Sequence, residues 1–271
     1  SLGFILIGSI VGLPVDRLFM AGILPGLMEA ALLMIGVSIM VRRGNYGVKA
    51  ARPDWKGFRT RFPAAFPALL MPVLVIGSIY SGFMTPTEVS ALAAAYAALL
   101  GLLVYRSIGV SDFWAVARES VLQTTMIFAV VMGGSLVGFV MARMGVSAGL
   151  VQMISDLNME PWMFLLAVNV ILLILGMFLD GIALIVLTAP LLFPLAQSLG
   201  IDPIHFAVIM VANVEIATLT PPIGLNLFVI SGIARLPVHE VARGVMPFFL
   251  VRLTSLMLIT YIPAISLALV R

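Results

Sequence analysis

Between residues 203 and 234 the chain reads PIHFAVIMVANVEIATLTPPIGLNLFVISGIA, an apolar stretch longer than one membrane span and interrupted at Thr220-Pro221-Pro222. Two consecutive prolines remove two backbone donors and disfavour helix in the residue before them. Carbonyls around 216–219 therefore lose their helical partners, and in lipid they must be met by neighbouring protein, water or an ion. Asn213, Glu215, Thr218, Thr220 and Asn226 bring further oxygens to the same depth. That donor set suits a hard cation such as Na⁺. The competing explanation is a structural proline kink, and the density of polar residues around this one favours a functional break.

Upstream, GMFLDG at 176–181 sets two glycines and Asp180 between the apolar arms 161–179 and 182–199. Glycine permits a tight reversal, and a carboxylate within the membrane is a site candidate by default. As the tip of a re-entrant hairpin, this segment brings Gly176 to Thr188 near the midplane, facing the broken helix. As a turn between two full spans, it leaves Asp180 in water. Both arrangements satisfy the residues.

The elements that must carry these features are dictated by composition. Of 271 residues, 62% are hydrophobic and 10% charged, with a mean hydropathy of +1.19. A soluble domain has about 45–50% apolar and about 25% charged residues. So few charges cannot coat a water-facing surface, which excludes a soluble enzyme, a nucleic-acid binder and a disordered regulator. The chain reads as an all-α polytopic protein of the lipid bilayer. Its apolar runs fall at 2–13, 18–41, 63–83, 88–105, 121–142, 161–179, 182–199, 203–234 and 244–269. Segments 107–119 and 145–160 are short and amphipathic, suited to the interface plane or to ordinary loops. The opening SLGFILIGSI already lies inside an apolar segment, so the chain is expected to be the C-terminal part of a larger protein.

Membrane-enzyme chemistry finds little support. There is no cysteine, and the two histidines, His205 and His239, sit at segment ends rather than paired on one helix as a zinc protease requires. No metal site beyond sodium and no cofactor is expected. MTPTEVS at 84–90 holds Thr85, Thr87 and Glu88 near a proline and reads as a helix N-terminal cap.

The connection 42–61 carries Arg42, Arg43, Lys49, Arg52, Lys56, Arg59 and Arg61, and short basic loops stay in the cytoplasm. Counting crossings from this loop puts Arg106, Arg118, Arg235, His239 and Arg243 inside, and Asp16, Arg17, Arg143 and the C-terminus outside.

Residues 8–15, GSIVGLPV, return as SGIARLPV at 231–238, followed by GILP at 22–25 and GVMP at 244–247. By this topology the two copies have opposite orientation, the mark of an inverted repeat with binding sites at discontinuous helices. The alternative is chance recurrence of Leu-Pro-Val in a narrow composition. Glu29 and Arg252 fall almost opposite each other in the two copies and are expected to pair across the pseudo-symmetry axis.

LGMFLDGIALIVLTAPLLFPLAQSLGIDPIHFAVIM at 175–210 and TPPIGLNLFVISGIA at 220–234 resemble the large permease subunit of the tripartite ATP-independent periplasmic (TRAP) transporters. IYSGFMTPTEVSALAAAYA, MAGILPGL and ITYIPAISL are similar to the same subunit, so the resemblance covers nearly the whole chain. It implies an inverted-repeat, elevator-type secondary transporter of the bacterial inner membrane, in which a mobile domain slides against a scaffold. It also implies a small membrane subunit, a periplasmic substrate-binding protein, an organic acid substrate and Na⁺ as coupling ion.

On this chain the resemblance makes 1–13 the second half of a first broken helix and 14–160 mostly scaffold. It makes 161–234 the second hairpin and second broken helix, and 235–271 the last span. It places one sodium site on the carbonyls of Gly176, Ala217, Thr220 and Ile223, with the Thr220 hydroxyl available. Family members often carry Gly where this chain has Ala217. Asp180, Thr188, Asn213, Thr218, Pro221, Pro222 and Asn226 are the expected substrate and hairpin vicinity. A single-component sodium/dicarboxylate symporter and a non-transporting structural membrane subunit are the rival readings.

Overall fold

The computed structural model describes residues 2–44, 55–221 and 224–270. Every regular element among them is helical: α1 (Leu2–Val11), α2 (Val15–Gly44), α3 (Trp55–Tyr80), α4 (Pro86–Leu99), α5 (Val110–Arg143), α6 (Val146–Asp156), α7 (Pro161–Gly176), α8 (Gly181–Ser198), α9 (Pro203–Ala217), α10 (Leu225–Ala234), α11 (Val238–Tyr261) and α12 (Pro263–Leu267). A π-helical turn, Leu100–Val104, extends α4. Six of the described helices are long and apolar enough to cross a membrane. The fold is that of an all-α, multi-pass membrane protein.

Three segments differ from the sequence expectation. The amphipathic stretch 107–119 is neither loop nor separate interfacial helix, because α5 runs unbroken from Val110 to Arg143. The cause is local: Asp112 accepts from the Gly109 N–H (2.8 Å), and no proline interrupts the helix formers behind it. The basic connection is helical at both ends, and its Lys49 and Arg52 lie outside the described residues. Arg42 and Arg43 lie in the last turn of α2, and Lys56, Arg59 and Arg61 on the first turns of α3. Finally, the closing span stops at Ile262, held at φ −120° and ψ 82° before Pro263, and restarts as α12.

The chain forms two compact units, residues 1–45 with 127–271, and residues 46–126. In the smaller unit, the Tyr96 hydroxyl donates to the Pro67 carbonyl (2.8 Å) and the Tyr105 hydroxyl to the Ala64 carbonyl (2.7 Å). Thr85 caps α4 as expected: its N–H donates to Glu88 (2.8 Å), while the Glu88 N–H reaches Thr85 Oγ1 (3.4 Å).

The larger unit holds the core. Helix α9 is apolar all round and buried along most of its length, the pattern of a central helix. Phe206 on α9 meets Phe193 of α8 edge-on (5.0 Å between ring centroids) and Phe164 of α7 at 6.1 Å. Fully buried Ile7, Leu18, Leu172, Leu184 and Leu256 close around it. Where lipid replaces water, such packing is stabilised by close contact and polar pairing rather than by escape from water. Helix α2 belongs to this unit, packing on α1, α9 and α11, so the unit boundary cuts across the expected 14–160 segment.

The two copies of the repeated motif share a conformation. α1 ends at left-handed Gly12 (φ 76°), whose N–H and that of Leu13 both donate to the Gly8 carbonyl. α10 ends at left-handed Arg235 (φ 56°), whose N–H and that of Leu236 both donate to the Ser231 carbonyl. Each bend is followed by Leu-Pro-Val, and the valine starts the next long helix, with Pro25 inside α2 and Pro247 inside α11.

Candidate functional site

At the hairpin, α7 ends at Gly176 and the chain reverses over Met177–Asp180, with Phe178 and Leu179 both donating to the Leu175 carbonyl. Asp180 then caps α8, its Oδ2 accepting from the Ile182 N–H (3.0 Å). This is the N-cap role that short acidic side chains fill well, and it accounts for Asp180 without an ion.

The tip lies against the end of α9. A methyl group at Gly176 would run into Ala217, and one at Gly181 would approach Val214 Cγ1 to 2.8 Å. The C-terminal ends of α7 and α9 thus sit side by side. Each bears the negative end of a helix dipole, and the juxtaposition favours a cation. Among the described residues, the Gly176 carbonyl accepts no backbone bond from beyond its helix.

The break itself follows from the prolines. Pro221 is the residue whose N–H would bond Ala217 in a continuous helix, and the Ala217 carbonyl instead accepts from Thr220 (3.0 Å). That oxygen carries a second lone pair, and among the described residues it accepts no other backbone bond from outside the helix. Pro222 likewise cannot serve the Thr218 carbonyl, which accepts from the Asn226 N–H across the break (3.2 Å). Asn226 Nδ2 reinforces this staple by donating to Thr218 Oγ1 (3.1 Å). Gly224, in the left-handed region at φ 45°, precedes α10, and a Cβ there would come to 3.0 Å from the Thr220 carbonyl oxygen, so a side chain would be strained and crowded. Thr220 is buried and donates its hydroxyl to Ile216 (3.0 Å). Pro222 and Ile223 lie outside the described residues.

A cleft of about 150 Å³ opens between α1, the hairpin tip and α9, lined by Gly3, Asp180, Gly181, Val214, Glu215 and Thr218 among others. It brings Leu2, Gly3 and Leu6 of α1 alongside the tip and the end of α9. Thr188 is turned to its own helix, donating to the Leu184 carbonyl (2.6 Å). Asn213 is fully buried and pairs with Asn169 rather than facing the cleft as a free donor.

Arg252 of α11 makes the expected ion pair with Glu29 (Nε to Oε1, 2.6 Å) and also reaches Glu215 of α9 (3.0 Å). The sequence placed Glu215 near the break but not beside Arg252, because repeat symmetry names only the first two. Also missed was a buried polar chain. Asn213 Nδ2 donates to Asn169 Oδ1 (2.6 Å), Asn169 Nδ2 to Thr260 Oγ1 (2.9 Å), and His205 Nε2 lies 3.3 Å from the Thr260 carbonyl. Its signal was in the sequence, since an asparagine in an otherwise apolar membrane helix needs a partner.

A hairpin packed against a broken helix, inside a fold that repeats its own helix-bend-helix unit, belongs to multi-pass membrane proteins of the discontinuous-helix class. Residues 1–265 match the family model described as Tripartite ATP-independent periplasmic transporter, DctM component, and the chain belongs to that family. It is 39% identical over 257 residues to the C4-dicarboxylate TRAP transporter large permease protein DctM of Pseudomonas aeruginosa, covering 94% of this chain and 60% of that protein. It is 35% identical over 272 residues to the sialic acid TRAP transporter large permease protein SiaM of Vibrio cholerae, covering 99% and 63%. The isethionate TRAP transporter permease protein DctMQ of Oleidesulfovibrio alaskensis is 34% identical, with 97% and 42% covered. The chain thus spans less than two thirds of the length of these relatives. All three are named as permeases, not enzymes.

Proposed function

We propose that the full-length protein is the membrane permease of a sodium-driven, binding-protein-dependent secondary transporter that imports an organic acid. The relatives named for C4-dicarboxylate and sialic acid favour a carboxylate substrate. A small TRAP membrane subunit and a periplasmic binding protein complete the assembly in the bacterial inner membrane, with loop 42–61 cytoplasmic and the C-terminus periplasmic.

The observation that carries this reading is the contact between Gly176 and Ala217. It brings two helix C-termini together where the prolines have freed a carbonyl lone pair. In this reading Na⁺ is held by the carbonyls of Gly176, Ala217, Thr220 and Ile223, tying the tip to the break. The N-terminal ends of α8 and α10, positive by the same dipole argument, favour the substrate carboxylate. Loading of both ions licenses an elevator movement of the hairpin and broken helices.

The test is uptake into proteoliposomes that hold the full-length protein with its small subunit and cognate binding protein, with and without an inward Na⁺ gradient. Accumulation that requires both sodium and the binding protein is the expected result. Sodium-driven uptake without the binding protein would instead establish a single-component symporter. Absence of uptake from a correctly assembled complex would leave a structural subunit.

A further inference from the structure

We infer that Asn169 and Asn213 are positioning residues: their hydrogen bond locks the register of α7 on α9 and so sets the two helix ends at the candidate cation site against each other. The inference rests on the cation reading given above. Three contacts run in the same order along both helices, Phe164 with Phe206, Asn169 with Asn213, and Gly176 with Ala217. The helices are therefore parallel, and their alignment determines which carbonyls meet at the end.

The aromatic contact and the glycine contact are apolar and non-directional. The asparagine pair, at 2.6 Å with both side chains fully buried, is directional. It lies seven residues before Gly176 and four before Ala217, within about two turns of both ends. A slip of one residue moves a helix end by about 1.5 Å, whereas a binding constellation must be held to about 0.5 Å. The pair is itself anchored. Asn169 donates to Thr260 of α11, and His205, at the opposite end of α9, lies against the Thr260 carbonyl. Asn169 has both amide atoms engaged, so it sits in one orientation, and Asn213 can meet it only at one height.

The experiment compares the full-length wild type, Asn213→Leu, and Asn169→Leu with Asn213→Leu. The single change strands a buried amide, whereas the double change removes both amides and leaves only the Thr260 hydroxyl, which can turn to a carbonyl of its own helix, so its cost to stability is expected to be small. Two readouts are taken: amide hydrogen exchange at residues 174–179 and 215–221 without sodium, and the NaCl concentration giving half the sodium-specific rise in Tm. The double variant is expected to keep a sodium-free Tm close to wild type, to exchange faster at both helix ends, and to need roughly threefold to tenfold more sodium. Unchanged exchange at the helix ends would overturn the inference, as would faster exchange with an unaltered sodium requirement. Faster exchange in a protein whose wild type shows no sodium response would leave the lock standing and remove the cation reading.

Discussion

Glu29 and Arg252 stand at the same place in the two copies of the repeat, fourteen positions after Val15 and Val238 respectively, and they meet at 2.6 Å. The ion pair therefore ties α2 to α11, and Glu215 extends it to α9.

Removing Arg252 leaves two carboxylates near one another without a cation. Arg252→Gln is expected to destabilise by roughly 2–4 kcal/mol, less than a fully buried pair because the side chains are partly exposed. The exchange Glu29→Arg with Arg252→Glu should restore only part of that loss, since the new acid faces Glu215. Thermal unfolding followed by size-exclusion fluorescence measures both, and full recovery by the exchange would remove Glu215 from the account.

At the hairpin tip, Gly176→Ala drives a methyl group into Ala217. Overpacking of this kind costs about 1–3 kcal/mol. Adding Ala217→Gly opens the facing surface, so the double variant should recover stability that the single one loses. A single Gly176→Ala protein with wild-type Tm would show that the tip does not pack as described.

Pro221→Ala together with Pro222→Ala returns the N–H groups that a continuous helix needs at Ala217 and Thr218. The expected outcome is a helix that closes over its own carbonyls, giving normal folding but weakened sodium dependence of uptake. A sodium requirement equal to wild type would separate the break from ion binding.

For Asp180, the cap to Ile182 predicts a graded series. Asp180→Asn retains an acceptor and should lie within a few tenths of a kcal/mol of wild type, whereas Asp180→Ala should lose about 1 kcal/mol. If Asp180→Asn abolishes sodium-dependent uptake with stability intact, the carboxylate charge is serving the ion and not the helix.

Much of this was legible in the chain before any coordinates. The proline pair announced the break, the Gly-Met-Phe-Leu-Asp-Gly tip announced a reversal, and the repeat announced the Glu29–Arg252 pair. What was not legible depends on three-dimensional register. Nothing in the run 107–119 said that it would continue into α5, because amphipathic pattern does not reveal whether a helix ends at the membrane surface. The contact of α7 with α9, and the pairing of Asn169 with Asn213 across 44 residues of sequence, follow from packing that local pattern does not encode. Asn213 was read as an oxygen near the break, and burial assigned it a partner.

The two bends at Gly12 and Arg235 have a consequence for how such proteins are compared. A left-handed arginine carries a steric cost of about 1–2 kcal/mol that glycine escapes, yet both bends close on the same pair of N–H groups and lead into the same Leu-Pro-Val. The second bend takes the same shape without the residue best suited to it. A search for paired glycine hinges would find one half of this molecule and miss the other, whereas a search on backbone angles would recognise both as the same joint.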